Sequence, residues 1–287
     1  MAGDIQGVSE AQPRVTAELI VYFALAFAIT FGIGAGFIFF RPQFEAVVGS
    51  MRSPSASWPY YAAVSAPTVS ALLVSLAFRG FAGVKSLLSG LIRPFAIRWG
   101  AVALLAVPAG LIVWEFAARA VSGAPGPIDL HAMAMAPLLW FTTGQIFTDP
   151  GPWGEETGWR GFALPRLLTK FAALPAAMIL GLIWGFWHTP AFFVSGLSQF
   201  GLNYAWFLVG GVGLTIFMTF LYLNANGNYF VAGVIPHAVS NLMFSAKVYN
   251  AVEIEALLYS AIAVVLVAVF GPSLRGWRVG APLLAAR

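Results

Sequence analysis

The chain has 287 residues, of which 60% are hydrophobic and only 9% are charged, and its mean hydropathy is +0.83. Soluble domains carry about 25% charged residues, so this composition excludes an ordinary soluble protein and predicts an integral membrane protein. The 25 Phe and 10 Trp exclude a disordered or fibrous class, and the absence of cysteine excludes disulfides, thiolate metal sites and cysteine nucleophiles.

The net charge of +4 comes from basic residues that are spread over short segments between apolar stretches. This dispersed distribution favours lipid headgroups, and not nucleic acid, as the partner of these charges. Residues 1–16 are polar and lack the basic, apolar and small-residue succession of a cleaved signal peptide. We therefore expect the first transmembrane helix itself to drive insertion into the membrane.

Crossing the hydrocarbon core of a bilayer takes about 20 apolar residues. In chain order, this criterion predicts helices over 17–40, 59–78, 99–119, 133–148, 153–169, 173–194, 204–223, 229–248 and 256–271. Two prolines between Asp149 and Gly154 interrupt the chain before the polar start of 153–169. Whether 133–148 and 153–169 form one broken element or two decides between eight and nine segments. No repeat or linker divides the chain, so residues 1–287 are predicted to form a single all-α transmembrane domain.

Lys and Arg are concentrated in the predicted connection 79–98, in the region 160–170 and in the C-terminal tail. On the opposite side, acids such as Glu253 and Glu255 dilute the basic residues of the loops. The positive-inside rule places the basic segments in the cytoplasm. They share that side if both termini are cytoplasmic, which requires an even number of crossings, so the sequence predicts about eight transmembrane helices.

Ionisable side chains inside a membrane segment are costly and usually mark function. Glu155, Glu156 and Arg160 form the first such group. Glu156 and Arg160 are four residues apart, so they stack on one helix face and pair, which leaves Glu155 without a partner in the local sequence. Taken alone, the group favours a simpler interpretation, a capped interfacial helix start with a salt bridge.

The other two groups contain histidine. His188 lies late in an apolar span with Trp184 one turn before it. His237 shares a helix face with Asn241, directly after Pro236. Taken alone, each group is also explained by polar contacts that join neighbouring membrane helices.

Chain geometry brings two of these groups together. Glu155 lies 17 residues before a turn predicted near residue 172, and His188 lies 16 residues after it. At a rise of ~1.5 Å per residue, both groups lie about 25 Å from the turn, so antiparallel helices bring them to one level. Burying polar side chains together in a bilayer costs free energy, and a purely structural role does not explain that cost for a glutamate, two histidines and an asparagine. Together the groups therefore favour a hydrolytic site inside the membrane.

Three patterns carry a resemblance to a known family: Glu155-Glu156-x-x-x-Arg160, Trp184-x-x-x-His188 and His237-x-x-x-Asn241. They resemble the motifs of the CAAX-protease and bacteriocin-processing family, which includes the type II CAAX prenyl endopeptidases. Three motifs in order with these spacings are specific, and the conserved region of the family resembles residues 135–245 of this chain. The second motif carries a tryptophan where the family often has phenylalanine.

The resemblance implies a glutamate endopeptidase that works inside the membrane without a metal or another cofactor. It implies that Glu155 and His188 hold and activate the attacking water. It further implies that His237 and Asn241 stabilise the oxyanion of the tetrahedral intermediate.

The resemblance also implies that Glu156 and Arg160 form a supporting pair, with Trp184 as a further supporting residue. The expected substrate is a membrane-associated or lipidated peptide or protein, and the expected location is the bacterial cytoplasmic membrane. Cleavage after a prenylated cysteine, which eukaryotic members perform, is not carried over, because protein prenylation is not a general bacterial feature.

Two alternatives remain open from the sequence. Glu155, His188 and His237 match the three-ligand set of a catalytic zinc site, although the chain has no His-Glu-x-x-His helix. A non-catalytic membrane binding protein, such as a transporter or an immunity or chaperone-like partner, would use the same polar cavity. A transporter is expected to show paired broken helices, whereas one clear break is predicted, near 149–154.

The remaining polar residues receive structural roles. Asp149 precedes a proline and is expected to begin a turn or cap a helix. Glu115 is expected to snorkel or to pair with Arg119, and Asp129 and His131 are expected in a solvated outer loop.

Overall fold

The computed structural model describes residues 3–48, 57–143 and 148–276, and the regular secondary structure of this part is entirely helical, without a β-strand. Its α-helices are, in chain order, α1 (Gly3–Phe39), α2 (Arg41–Val48), α3 (Trp58–Val64), α4 (Ala66–Ser89), α5 (Ile97–Ser122), α6 (Leu130–Thr143), α7 (Pro150–Glu156), α8 (Leu164–Leu167), α9 (Ala173–Trp187), α10 (Tyr204–Asn224), α11 (Ile235–Ser245) and α12 (Val252–Phe270). The predicted all-α class is confirmed.

Five helices are long and apolar enough to cross a membrane: α1 over Pro13–Phe39, and α4, α5, α10 and α12. Their outward faces carry large apolar side chains, such as Ile20, Val113 and Val264, each more than half exposed. A lipid environment accommodates such faces, and the chain is an integral membrane protein. The count of eight crossings stays a prediction, because α9 and the stretch Phe230–Ser245 are apolar but shorter than a full span.

The predicted second span, 59–78, is wrong in its limits. The short helix α3 occupies its first part, and the long helix α4 continues well beyond its end. Pro59 and Pro67 each lie in the first turn of a helix, where a missing N–H breaks no hydrogen bond. Arg79 and Lys85, predicted in a connecting loop, therefore lie on α4.

The predicted helix 173–194 is too long. α9 ends one residue before His188, which is its C-terminal cap, and a short 3-10 turn, Thr189–Phe192, follows. Pro190 explains the change, since proline disfavours the α conformation in the residue before it. His188 consequently lies at the end of its helix.

The predicted interruption around Asp149 is present. Asp149 is non-helical, with φ −67° and ψ 112°, and α7 begins directly after it. The end of the predicted helix 133–148 falls on residues 144–147, which lie outside the described residues, as does the basic tail beyond residue 276.

The predicted helix 153–169 consists of three segments: α7, a π-helical turn (Thr157–Ala163) and α8. A second π-helical turn, Phe230–Val234, leads into α11. Each π turn ends shortly before a proline, Pro165 or Pro236, which removes a hydrogen bond to the preceding turn. The first π turn contains Arg160 and follows Glu156 directly, and the second ends three residues before His237.

α10 is the most buried of the spanning helices and packs between α9 and α12. Glycines permit this close packing: a β-carbon at Gly181 would lie 2.8 Å from Cα of Val212, and one at Gly213 would lie 2.7 Å from the backbone of Tyr259. Small residues allow such backbone approach between membrane helices. The second motif, on α9, is thereby held against the centre of the bundle.

Candidate active site

Glu155 lies in the last turn of α7 with its side chain buried. Its Oε2 accepts a hydrogen bond of 2.7 Å from the indole N–H of Trp184 on α9. Nε2 of His188 lies 3.9 Å from the same oxygen. The predicted approach of Glu155 and His188 is therefore observed. Glu155 has no hydrogen-bond partner in its own segment of sequence, and Trp184, in another helix, supplies one.

The contacts of His188 define which ring nitrogen carries the proton. Nδ1 lies 2.8 Å from the carbonyl oxygen of Trp184, and because a carbonyl only accepts, Nδ1 is the donor. The other nitrogen, Nε2, is then an acceptor in the neutral ring, as are the oxygens of an ionised Glu155. Two acceptors 3.9 Å apart suit a water molecule that donates one hydrogen to each.

The predicted pair of Glu156 and Arg160 is present and fully buried, with 2.8 and 3.0 Å between Nη1 and the two carboxylate oxygens. Arg160 also donates to the hydroxyl of Thr215 on α10, at 2.8 Å. Nδ1 of His237 lies 2.8 Å from Oε1 of Glu156, a contact that the sequence did not predict. One carboxylate thus joins the first motif to the third.

Trp184 contacts members of all three motifs. The guanidinium of Arg160 lies 5.1 Å from the centre of its ring system. The rings of His188 and His237 lie nearly perpendicular to it, with centroids at 4.9 and 5.6 Å. A desolvated cation–π contact contributes about 2 kcal/mol. Trp184 is therefore packed at the point where the three motifs meet.

Asn241 follows His237 by one turn of α11, and its Nδ2 donates to Oδ2 of Asp149 at 2.9 Å. Oδ1 of Asp149 accepts from the backbone N–H of Gly151 at 3.0 Å, so the predicted helix cap is confirmed. The contact between Asp149 and Asn241 was not predicted from the sequence. The Asp-Pro pair indicated only a helix start, and no local pattern relates positions 92 residues apart.

The candidate residues line one cavity of about 470 Å³, shared by Glu155, His188, His237 and Asn241. No Lys or Arg is among the described residues that line it. Glu255, assigned from the sequence to a loop, instead lies in the first turn of α12, borders the cavity and accepts from the hydroxyl of Ser240, on α11, at 2.6 Å. Only the tertiary packing of α12, which lies chiefly against α10, brings this acid to the site.

A second, more apolar cavity of about 90 Å³ also borders Glu155 and His188. Its other walls come mainly from α1 and from the segment after α9, including Phe37 and Val194. The glutamate–histidine pair therefore lies between a polar space and an apolar one.

Zinc was the open alternative for Glu155, His188 and His237. Within residues 3–48, 57–143 and 148–276, no three His, Cys, Asp or Glu side chains are grouped as a metal site. Nδ1 of His188 and Nδ1 of His237 are both committed to protein acceptors, which leaves one ring nitrogen of each facing the cavity. Whether Glu155, His188 and His237 bind zinc is therefore a question for a direct measurement of metal dependence.

The other polar residues have structural contacts. The buried carboxylate of Glu115 pairs with Arg119 at 2.6 Å, as predicted, and also accepts from two backbone N–H groups, of Gly126 and Ile128. Asp129 and His131 are exposed as predicted, but His131 lies in the first turn of α6 and not in a loop, while Asp129 caps that helix. None of these residues borders the cavity of about 470 Å³.

Comparison with known proteins bears on the segment that carries the site. Residues 135–243 match the family described as type II CAAX prenyl endopeptidase Rce1-like. This segment, well under half of the chain, is similar to that family. All three motifs lie inside it, so the resemblance predicted from them is confirmed, and the family is one of endopeptidases, as the predicted class of peptide hydrolase requires.

A relative named CAAX prenyl protease 2, from Methanococcus maripaludis, is 30% identical to the chain over 97 residues. The alignment covers 31% of this chain and 34% of the relative. The alignment thus spans about a third of the length of that relative.

Proposed function

We propose that the protein is an intramembrane endopeptidase that hydrolyses a peptide bond of a membrane-associated or lipidated peptide or protein. The observation that carries the proposal is the approach of Nε2 of His188 to the Glu155 carboxylate, at 3.9 Å, on the wall of a cavity of about 470 Å³. His237 and Asn241 border the same cavity. A base beside a water site, with hydrogen-bond donors in the same space, is what peptide hydrolysis requires.

In the proposed reaction, a water molecule binds between Glu155 and His188. Glu155 removes a proton as the water oxygen attacks the carbonyl carbon of the substrate. The negative charge that develops on the carbonyl oxygen is stabilised by N–H groups of Asn241 and His237, the latter in its imidazolium form. The C–N bond then breaks, and the proton taken by Glu155 passes to the departing amine.

The supporting residues hold these groups in place. Glu156 directs Nδ1 of His237, so that Nε2 faces the cavity, and Arg160 in turn holds Glu156. Trp184 holds the carboxylate of Glu155 through its indole N–H. The mechanism uses protein groups and water, without a metal or another cofactor.

The wider setting belongs to the same proposal. The chain is one transmembrane domain, residues 1–287, with eight crossings and both termini in the cytoplasm, and it resides in a bacterial cytoplasmic membrane. The name of the relative concerns prenylated substrates. For this chain the proposed substrate class is the broader one, lipidated or membrane-associated peptides, because the cavity borders an apolar space beside the glutamate–histidine pair.

The test is hydrolysis of a panel of lipidated fluorogenic peptides by purified protein in detergent or nanodiscs. We expect turnover by the wild type and a loss of about 10⁴-fold or more in kcat for Glu155→Gln, since this amide cannot accept the proton. Glu45→Gln is the matched control, because Glu45 is partly exposed and pairs with Arg41 away from the cavity. Turnover by Glu155→Gln at the wild-type rate would refute the mechanism.

The same assay with a zinc chelator separates the two chemistries. Turnover that a chelator leaves unchanged supports the metal-free reaction. Turnover that a chelator abolishes and zinc restores assigns Glu155, His188 and His237 to a zinc site. Peptides that bind without any turnover support the other class, a non-catalytic membrane binding protein that uses the same cavity.

A further inference from the structure

Asp149 accepts hydrogen bonds from two separate parts of the site. Oδ1 accepts from the N–H of Gly151 and caps α7, the helix that carries Glu155. Oδ2 accepts from the amide of Asn241 on α11, at 2.9 Å. The proposed reaction assigns no role to Asp149, although its side chain borders the cavity.

The contact between Asp149 and Asn241 selects one orientation of the amide. A side-chain amide fits a site either way round, with its NH₂ group or its oxygen directed at a given neighbour. A carboxylate only accepts hydrogen bonds, so Asn241 must direct its NH₂ group toward Asp149. One N–H bond is then used by the carboxylate, and the second is available to a ligand.

The space in front of that second N–H is open because residue 151 is glycine. A β-carbon at Gly151 would lie 3.2 Å from Nδ2 of Asn241, 3.4 Å from Nε2 of His237 and 3.3 Å from Oδ1 of Asp149, the oxygen that accepts from the N–H of Gly151. The two nitrogens therefore face one small volume beside Gly151, within the cavity of about 470 Å³. An oxygen atom placed in this volume is within reach of both nitrogens.

We propose that Asp149 is a positioning residue, which turns the Asn241 amide so that an N–H points into the volume beside Gly151, where the oxyanion of the tetrahedral intermediate binds. The same carboxylate sets the start of α7 relative to α11. The identity of the bound oxyanion rests on the proposed function. The orientation of the amide rests on the two hydrogen bonds of Asp149 alone.

Asp149→Asn separates orientation from capping. Asparagine is as good an N-cap as aspartate, so the start of α7 is retained. With the oxygen of the new amide on the N–H of Gly151, its NH₂ group faces Asn241, which must then turn its own oxygen toward it. We expect kcat to fall about 10²-fold, as for loss of one oxyanion donor, with KM nearly unchanged.

Asp129→Asn is the matched control, because Asp129 caps α6 through the N–H of Ala132 at 2.9 Å and is exposed outside the cavity. It should leave kcat unchanged. In an Asn241→Ala background, Asp149→Asn should add little further loss, because the group that it orients is already absent. An equal loss in both backgrounds, or wild-type kcat in Asp149→Asn, would overturn the proposal.

The orientation is also measurable without turnover, by nuclear magnetic resonance of protein with isotope-labelled asparagine side chains. The chain has six asparagines, and Asn241→Ala identifies the signal of that residue. We expect Asp149→Asn to shift this signal and Asp129→Asn to leave it in place. An unshifted signal overturns the role of Asp149. A shifted signal in a protein that cleaves no peptide supports that role and counts against the proposed function instead.

Discussion

At the scale of single residues, Trp184 decides how the proposed base is held. It stands where the family that the three motifs resemble often has phenylalanine, and a phenylalanine fills much of the same space without a hydrogen-bond donor. Here the indole N–H donates to Glu155 at 2.7 Å, while the ring packs against both histidines. The hydrogen bond holds one carboxylate oxygen of Glu155 beside His188. Packing of the aromatic ring by itself would not hold that oxygen in place.

Replacing Trp184 by phenylalanine tests this division of roles. A hydrogen bond to a charged group contributes about 1.5–3 kcal/mol, so its loss from the reacting geometry should lower kcat by about 10- to 100-fold. Trp187→Phe is the matched control, since Nε1 of Trp187 has no hydrogen-bond partner within the described part of the chain and its ring also packs on His188. Equal losses in the two variants would show that ring packing, and not the hydrogen bond, matters.

At the scale of helices, the first motif depends on a close crossing with the end of α3 and the start of α4. A β-carbon at Gly158, in the π turn, would lie 2.5 Å from the backbone of Pro67, and one at Gly154 would lie 2.9 Å from the backbone carbonyl oxygen of Val64. The two glycines are four residues apart, so they form one contact face. Glu155 and Arg160 lie on the same short segment, so the helix crossing at Gly154 and Gly158 sets where these two side chains are placed.

Gly158→Ala should therefore disturb both stability and turnover. The added methyl meets backbone, which cannot move aside, and overpacking of this kind costs about 1–3 kcal/mol. We expect a lower midpoint of thermal unfolding in detergent together with lower kcat. Gly32→Ala on α1 is the control, because no atom of the described residues, apart from the adjacent residues and backbone of its own helix, lies within 4 Å of its β-carbon position. A Gly158→Ala protein as stable as Gly32→Ala would contradict the crossing.

At the scale of the whole molecule, ion pairs of Glu18 connect α1 to α8, the helix that follows the first motif. Its fully buried carboxylate accepts from Arg79 on α4 at 2.7 and 3.1 Å and from Arg166 on α8 at 2.7 Å. The chain separation between Glu18 and Arg166 is 148 residues. One carboxylate therefore joins three helices that are distant in sequence, near the end of the π turn that carries Arg160.

Glu18→Gln should lower stability strongly and act on turnover only through it. Removing one member of a buried ion pair costs about 3–5 kcal/mol, and the partial exposure of Arg79 reduces that figure. The measurement is the midpoint of thermal unfolding. Glu45→Gln should change the unfolding free energy by less than about 1 kcal/mol, because that pair is partly exposed on one helix. Similar effects of the two substitutions would refute this connecting role of Glu18.

Predictions from the sequence agree with the structure where the interacting residues are close together along the chain. The pair of Glu156 and Arg160 and the cap at Asp149 were predicted because their partners lie within four residues. The equal distance of Glu155 and His188 from the turn near residue 172 was predicted because that single turn connects their helices. The π turns were missed, since proline indicates a disturbed helix but not which wider turn replaces it.

Composition and motif spacing were sufficient to predict the membrane class, the all-α fold and the set of candidate residues. Composition and short spacing decide these features, because they depend on the solvent and on neighbours along one helix. The partners of those residues depend on the packing of distant helices: Trp184 for Glu155, Glu156 for His237, and Asp149 for Asn241. These contacts join helices 29 to 92 residues apart, and they form only when close crossings at glycines set the depth and rotation of each helix.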